Sequence, residues 1–553
     1  MHSGHGDGAA GQSGGTMQAS QAPPHRPDAS TAADASAAAG SRTILATTWN
    51  IAAVNNNPFE YWVTHDDPAY NELMAGVQDF IDNPGMRDVK VSEVLTDDMF
   101  EQLLSDLQDH EFQDLDRLRR FWAEEYKERK LVSGFLKDKL IGGKRLASMP
   151  DRITNTIHAA GGQIFCRPTP INCYEGEFES KDQWWAQWRN FMFHTSVQVL
   201  GKNGSPCAPK LVCHLLEKIP RARYPDITEE EEAHSLGLQT MCLAVFDAIL
   251  FHILDSVASS AWQPLRKSIC DALYRNKEQQ ILTILTTTYP TAAVVFLQEV
   301  AASFVEKFKA REMHDSYFVL IPAQMDGIRD QNSIILASRA EFVEDSARDV
   351  TEEILSVVPR IAATLPPKVS AKMEKGDLVA ATIQGTDGNR YLLVSFHGDT
   401  NGLATRPVVA AVDEIARDKY KDHILVFGLD ANTYREHTQH YQGVMNFHEF
   451  ISERGLGSCW GGHPDPMNAT TCNARTYLQP QLNKAVGRED RVARADKNLK
   501  DWIIFYSNQT SAADPAKDNT GGRRYTEEMV FPTLDFPSDH AVVSAQLTIT
   551  LAR

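Results

Sequence analysis

Six short stretches of this chain place polar, chemically capable side chains at the ends of apolar runs. Trp49-Asn50 closes one run with a carboxamide, and Val294 to Glu299 closes another with a carboxylate. Leu393 to His397 ends on an imidazole. Ile424 to Asn432 ends on Asp430 and Asn432, Asp501 opens the run to Tyr506, and Ser538-Asp539-His540 precedes the last run. Hard oxygen donors of this kind suit Mg²⁺, which takes one or two carboxylates and leaves room for water and phosphate oxygens. A histidine beside an aspartate suits proton transfer or stabilisation of an anionic phosphorane. Singly, each residue also has an ordinary reading, since Asp and Asn commonly cap turns.

These groups must be positioned by strands. The β-branched, apolar runs at 43–51, 293–297, 317–321, 333–337, 391–396, 424–429, 502–506 and 541–551 read as buried strands. Between the first two lies a helical region. Met99, Phe100, Leu103, Leu104 and Leu107 recur at helical spacing, as do Phe112, Leu115, Phe121, Trp122 and Tyr126. Leu238 to Leu254 reads as an amphipathic helix. Trp184, Trp185 and Trp188 carry no evident role in the sequence.

The chain has 553 residues with 55 basic and 73 acidic side chains, a formal charge of −18. That acidity argues against a broad electrostatic grip on duplex DNA, although Arg488, Arg491, Arg494, Arg523 and Arg524 enrich one region in positive charge. Eight cysteines in this length are no disulfide scaffold. Residues 1–42, rich in Ala, Gly, Ser and Gln, read as a disordered tail with no export signal. The most apolar stretch, 241–257, is broken by Asp247, His252 and Asp255, so no transmembrane segment is expected. The expected compartment is the cytoplasm, with nucleus and organelles the alternatives.

The ordered series Trp49-Asn50, Gln298-Glu299, His397, Gly428-Leu429-Asp430-Ala431-Asn432, Asp501 and Ser538-Asp539-His540 resembles the endonuclease/exonuclease/phosphatase superfamily over 43–57 and about 268–553. The resemblance implies a DNase I-like four-layer α/β/β/α sandwich, two packed mixed sheets flanked by helices, with the site at one end. It implies a phosphoric ester hydrolase, foremost a phosphodiesterase, using Mg²⁺ with Mn²⁺ as the alternative ion. Asn50, Glu299 and Asp539 would hold the cation, while Asp430 and Asn432 position water and phosphate. Asp501 would polarise His540, and His397 would support the scissile phosphate. The substrate would be a nucleic acid, a phosphoinositide or another phospholipid. Arg475 and Lys484, in the loop before Asp501, and Asn401 are the expected substrate contacts.

The chain departs from the family between Asn50 and Gln298, where residues 60–265 form a mainly helical insertion at the rim of the expected site. The catalytic domain would then be 43–59 plus 266–553. The insertion is a candidate substrate-selecting wall or partner surface. A catalytically silent member that binds a protein partner through this insertion is the alternative.

Overall fold

The computed structural model describes residues 41–53, 56–201, 204–311, 313–327, 329–365 and 373–550. The expected tail over 1–42 lies outside the described residues except for Ser41 and Arg42. These two already belong to the first strand, which starts two residues earlier than its apolar run because Arg42 is held by Glu341 and Asp387.

Twelve strands build two six-stranded sheets: β1 (Ser41–Asn50), β2 (Val294–Val300), β3 (Tyr317–Leu320), β4 (Asn332–Ser338), β5 (Phe342–Asp349), β6 (Leu378–Gly385), β7 (Arg390–His397), β8 (His423–Asp430), β9 (Leu456–Ser458), β10 (Asp501–Tyr506), β11 (Thr510–Asp518) and β12 (Val542–Thr550). The first sheet runs β11-β12-β1-β2-β4-β3 and the second β9-β10-β8-β7-β6-β5. Both are mixed: β1 pairs parallel with β2 and antiparallel with β12, and β7 pairs parallel with β8.

Strand alternation sorts the side chains into layers. Ile44, Ala46, Val294, Phe296, Ile424 and Val426 face the opposite sheet and form the inter-sheet core. Their neighbours Trp49, Val295 and Leu297 face helices on one outer side, and Leu425, Phe427 and Leu429 face helices on the other. The sheets approach so closely at β8 that a Cβ on Gly428 would lie 2.4 Å from the Phe296 ring. Glycine is required there for packing.

The region between β1 and β2 carries α1 (Pro68–Asp82), α2 (Asp97–Asp109), α3 (Lys181–His194), α4 (Ser235–Ala258) and α5 (Lys277–Thr288), together with shorter turns and two small antiparallel hairpins. Its apolar side chains form one continuous core with Trp49 and Leu297 of the first sheet and Phe536 of the loop before β12, so these helices are packed onto the sheet.

Helix α4 differs from the amphipathic reading. It is buried nearly all round because α1, α2 and other helices pack about it. It is long and apolar enough to cross a membrane, but 72% of its most apolar window is buried among protein side chains. Within it, Asp247 is fully buried and accepts from Arg167 Nε at 2.7 Å, Thr169 Oγ1 at 2.8 Å and Trp188 Nε1 at 2.8 Å. The tryptophans are therefore core residues with satisfied indoles: Trp184 donates to the Pro168 carbonyl and Trp185 to Gln102.

Candidate active site

Register brings the polar strand ends together. On the second sheet His397 pairs with Asp430 across β7/β8, and Asp430 pairs with Asp501 across β8/β10. On the first sheet Asn50 pairs with Gln298. The β2/β4 register then shifts between Leu297 and Val300, and Glu299 takes φ +57°. This bulge turns the Glu299 side chain out of the sheet and into the site. Gln298 stays buried and bridges the sheets, donating to Ser395 Oγ at 3.0 Å.

Asn50 ties the acids together. Its Nδ2 donates to Glu299 Oε1 at 3.0 Å and to Asp430 Oδ2 at 2.9 Å, while its Oδ1 accepts from the Ala52 N–H. As placed, Asn50 orients the carboxylates. Burial alone would raise the Glu299 carboxyl, but His397, the Ala53 N–H, the Asn50 amide and His540 together hold it down to about 2. His397 Nε2 lies 3.2 Å from Glu299 Oε1 and 3.7 Å from Asp430 Oδ2.

The last motif is clamped onto β1. Ser538 Oγ donates to the Asn50 carbonyl at 2.6 Å and accepts from the His540 N–H, and Trp49 Nε1 donates to the His540 carbonyl. His540 Nδ1 lies 3.0 Å from Asp501 Oδ2, and its Nε2 lies 3.7 Å from Asp430 Oδ2. Burial opposes the imidazolium, but Asp501 and Asp430 outweigh it and push the histidine up to about 10. Asp501 is fully buried and also accepts from Thr470 Oγ1 at 2.5 Å.

Ligand-type atoms of Asp430, Asp501 and His540 fall within 4.8 Å of one another. Both Asp501 oxygens are already committed to His540 and Thr470, so this trio reads better as a relay than as a cation cage. The carboxylates of Glu299 and Asp539 fit a hard cation better, since both are partly exposed and line two adjoining cavities. Asp539 is oriented by Asn473 Nδ2 at 3.0 Å.

The larger of those cavities, about 460 Å³, gathers Glu299, His397, Asp430, Asn432, Asp539, His540, Arg475 and Lys484. Asn432, at φ +47°, donates its amide to the Gly398 carbonyl at 2.9 Å. Asn50 and Asp501 stand behind this wall. Asn401 is not part of the lining; its carbonyl accepts from the Gln442 N–H. Arg475 pairs with Glu60 and lies 5.3 Å over the Tyr61 ring, so its charge is partly spent on the helical region's first turn.

Two lysines were missed in the sequence. Lys500 lines the large cavity, is 5% exposed and pairs with Asp496 at 2.8 Å. Burial works against its charge, but Asp496 and its neighbours raise its pKa, so it remains an ammonium. Lys277, the first residue of α5, is also buried, and burial pushes its amine down to about 8 against the pull of Asp539 and Glu299. The only signal for Lys500 was its place beside Asp501. Nothing in the sequence marked Lys277.

Residues 88–267 match a family described as a Domain of unknown function (DUF8234). No curated protein matches the chain. Among solved structures, D. rerio TDP2 complexed with single strand DNA product is 15% identical with a TM-score of 0.32, covering 49% of this chain and 92% of that one. The human Nocturnin catalytic domain with bound sulfate is 12% identical with a TM-score of 0.33, covering 51% and 89%. An endonuclease/exonuclease/phosphatase family protein from Bacteroides thetaiotaomicron is 14% identical with a TM-score of 0.32, covering 50% and 90%. Two packed mixed sheets between helical layers, with the motif residues converging at one end, give this chain a DNase I-like four-layer α/β/β/α sandwich.

Proposed function

We propose that this protein is a Mg²⁺-dependent hydrolase of phosphate esters, foremost of phosphodiesters, acting by in-line attack of water. The observation that carries the reading is one cavity wall in which Glu299, Asp430, Asn432, Asp539 and a buried, Asp501-backed His540 converge. Asp430 and Asn432 orient the water. Lys500 and Lys484 attract the phosphate oxygens, and the His540 imidazolium donates to the oxygen on which charge develops. Glu299 and Asp539 would hold a Mg²⁺, which would supply further positive charge for the phosphoryl group. In this reading residues 43–59 and 266–553 form the catalytic unit, and residues 60–265 restrict what reaches it.

Release of p-nitrophenol from bis(p-nitrophenyl) phosphate tests the proposal. Turnover is expected with Mg²⁺ and not with EDTA, and Mg²⁺ should raise the Tm of the wild type but not of Glu299→Ala. Turnover that persists in EDTA, or an equal Tm shift in both proteins, would sink the reading.

A further inference from the structure

A second cavity, of about 280 Å³, opens beside the catalytic one and shares Tyr61, Glu299, Asp539 and His540 with it. Asp430 and Asn432 line only the larger cavity. The two chambers differ in chemistry. The larger holds Lys484, Arg494 and Lys500. The smaller is walled by Val63, Leu273, Pro532 and Pro537, with Tyr61 at the partition, the Glu60 carboxylate at its edge, and the Lys277 ammonium as the basic group it does not share with the larger cavity. Among the described residues, that ammonium makes one long hydrogen bond, 3.4 Å to the Ala53 carbonyl. It therefore retains donor capacity for a ligand.

In-line displacement requires the entering and departing oxygens to lie on opposite sides of phosphorus. With water held on the Asp430 side, the departing oxygen points away from Asp430, and the smaller chamber is the adjoining one that Asp430 does not line. We infer that this chamber receives the departing alcohol of the ester, a single ring-sized and largely apolar group whose polar edge meets Lys277. This rests on the phosphoester hydrolase reading above and adds a substrate class to it. A chamber at the small end of ligand pockets, which run from about 300 Å³ upward, holds one group and not a run of polymer. The water oxygen bonds to phosphorus and gives its proton to Asp430. The ester P–O bond breaks with its electron pair on the departing oxygen, which takes a proton from the His540 imidazolium at the edge of the chamber, and solvent then reprotonates His540 and takes the proton from Asp430.

The test is equilibrium binding by calorimetry in a catalytically disabled Asp430→Asn protein with Mg²⁺ present. The probes are bis(p-nitrophenyl) phosphate and dimethyl phosphate. The aryl diester should bind about tenfold more tightly, the scale of one buried aromatic contact. Adding Leu273→Trp, which fills the apolar wall, should erase that preference and leave dimethyl phosphate affinity unchanged. Lys277→Met, which keeps the stem and removes the charge, should weaken only the aryl probe. A preference that survives both substitutions overturns the chamber assignment. Failure of both probes to bind overturns the phosphoester reading on which it rests.

Discussion

Asn50, at the end of β1, donates 2.9 Å to the Asp430 carboxylate at the end of β8, and so bridges the two sheets at the edge where the acids converge. The same amide nitrogen donates to Glu299. One carboxamide thus sets the relative position of the carboxylate proposed to hold the cation and the one proposed to orient water.

Replacing Asn50 with Ala should therefore act mainly on kcat. Both carboxylates lose the donor that aims them, and misplacement on the order of 1 Å costs about 10²-fold. Steady-state kinetics on bis(p-nitrophenyl) phosphate, with circular dichroism to confirm the fold, checks this. An unchanged kcat would show that Asn50 is only a strand-end cap.

The His540–Asp501 pair predicts a pH signature in EDTA-treated protein. The folded histidine titrates near 10, above its ordinary value of 6.5, so the folded state binds the proton more tightly than the unfolded chain. Stability from this pair is complete below about pH 6.5 and is lost as pH rises through about 10. Urea melts of wild type and His540→Gln should differ most at pH 6 and converge by pH 10. A gap that widens with rising pH would contradict the assignment.

Gly428→Ala should destabilise the sandwich by about 1–3 kcal/mol, because its Cβ would press on Phe296 across the sheet interface. Denaturant unfolding measures this directly. An effect below about 0.5 kcal/mol would mean that the sheets separate easily at the site.

Asp247→Ala leaves the fully buried Arg167 with Asp151 as its remaining carboxylate partner and should cost about 3–5 kcal/mol. The double variant Arg167→Met/Asp247→Leu should recover most of that loss, since it removes the charge along with its partner. Urea midpoints of the three proteins decide it.

The legible parts of this chain are those where local pattern and final position agree. Central strands such as β2 and β8 are buried on both faces, so their apolar runs were plain, and the acids at their ends followed. The sequence runs omit the edge strands β5, β9 and β11, and also the buried interior strand β6, whose Ala380, Ala381 and Thr382 dilute its apolar pattern. Val343–Ser346 and Ser511–Lys517 are largely exposed and lack a run of large apolar residues, and β11 contains Pro515, all of which an edge tolerates and a strand pattern hides. The helical spacing of apolar residues in α4 implies an amphipathic helix, whereas its buried Asp247 is neutralised by Arg167, which lies 80 residues away in sequence. Lys277 and Lys500 were invisible as site residues for the same reason. Their roles depend on which cavity the fold turns them towards, which no local pattern encodes.

The most direct measurement is kcat/KM for bis(p-nitrophenyl) phosphate with saturating Mg²⁺ in wild type and Asp430→Ala. If Asp430 orients the attacking water, the variant should fall by about 10²–10⁴-fold, the range for a positioned acid–base group. Its circular dichroism should match the wild type. Equal turnover in the two proteins would contradict the claim that these strand ends form the catalytic site.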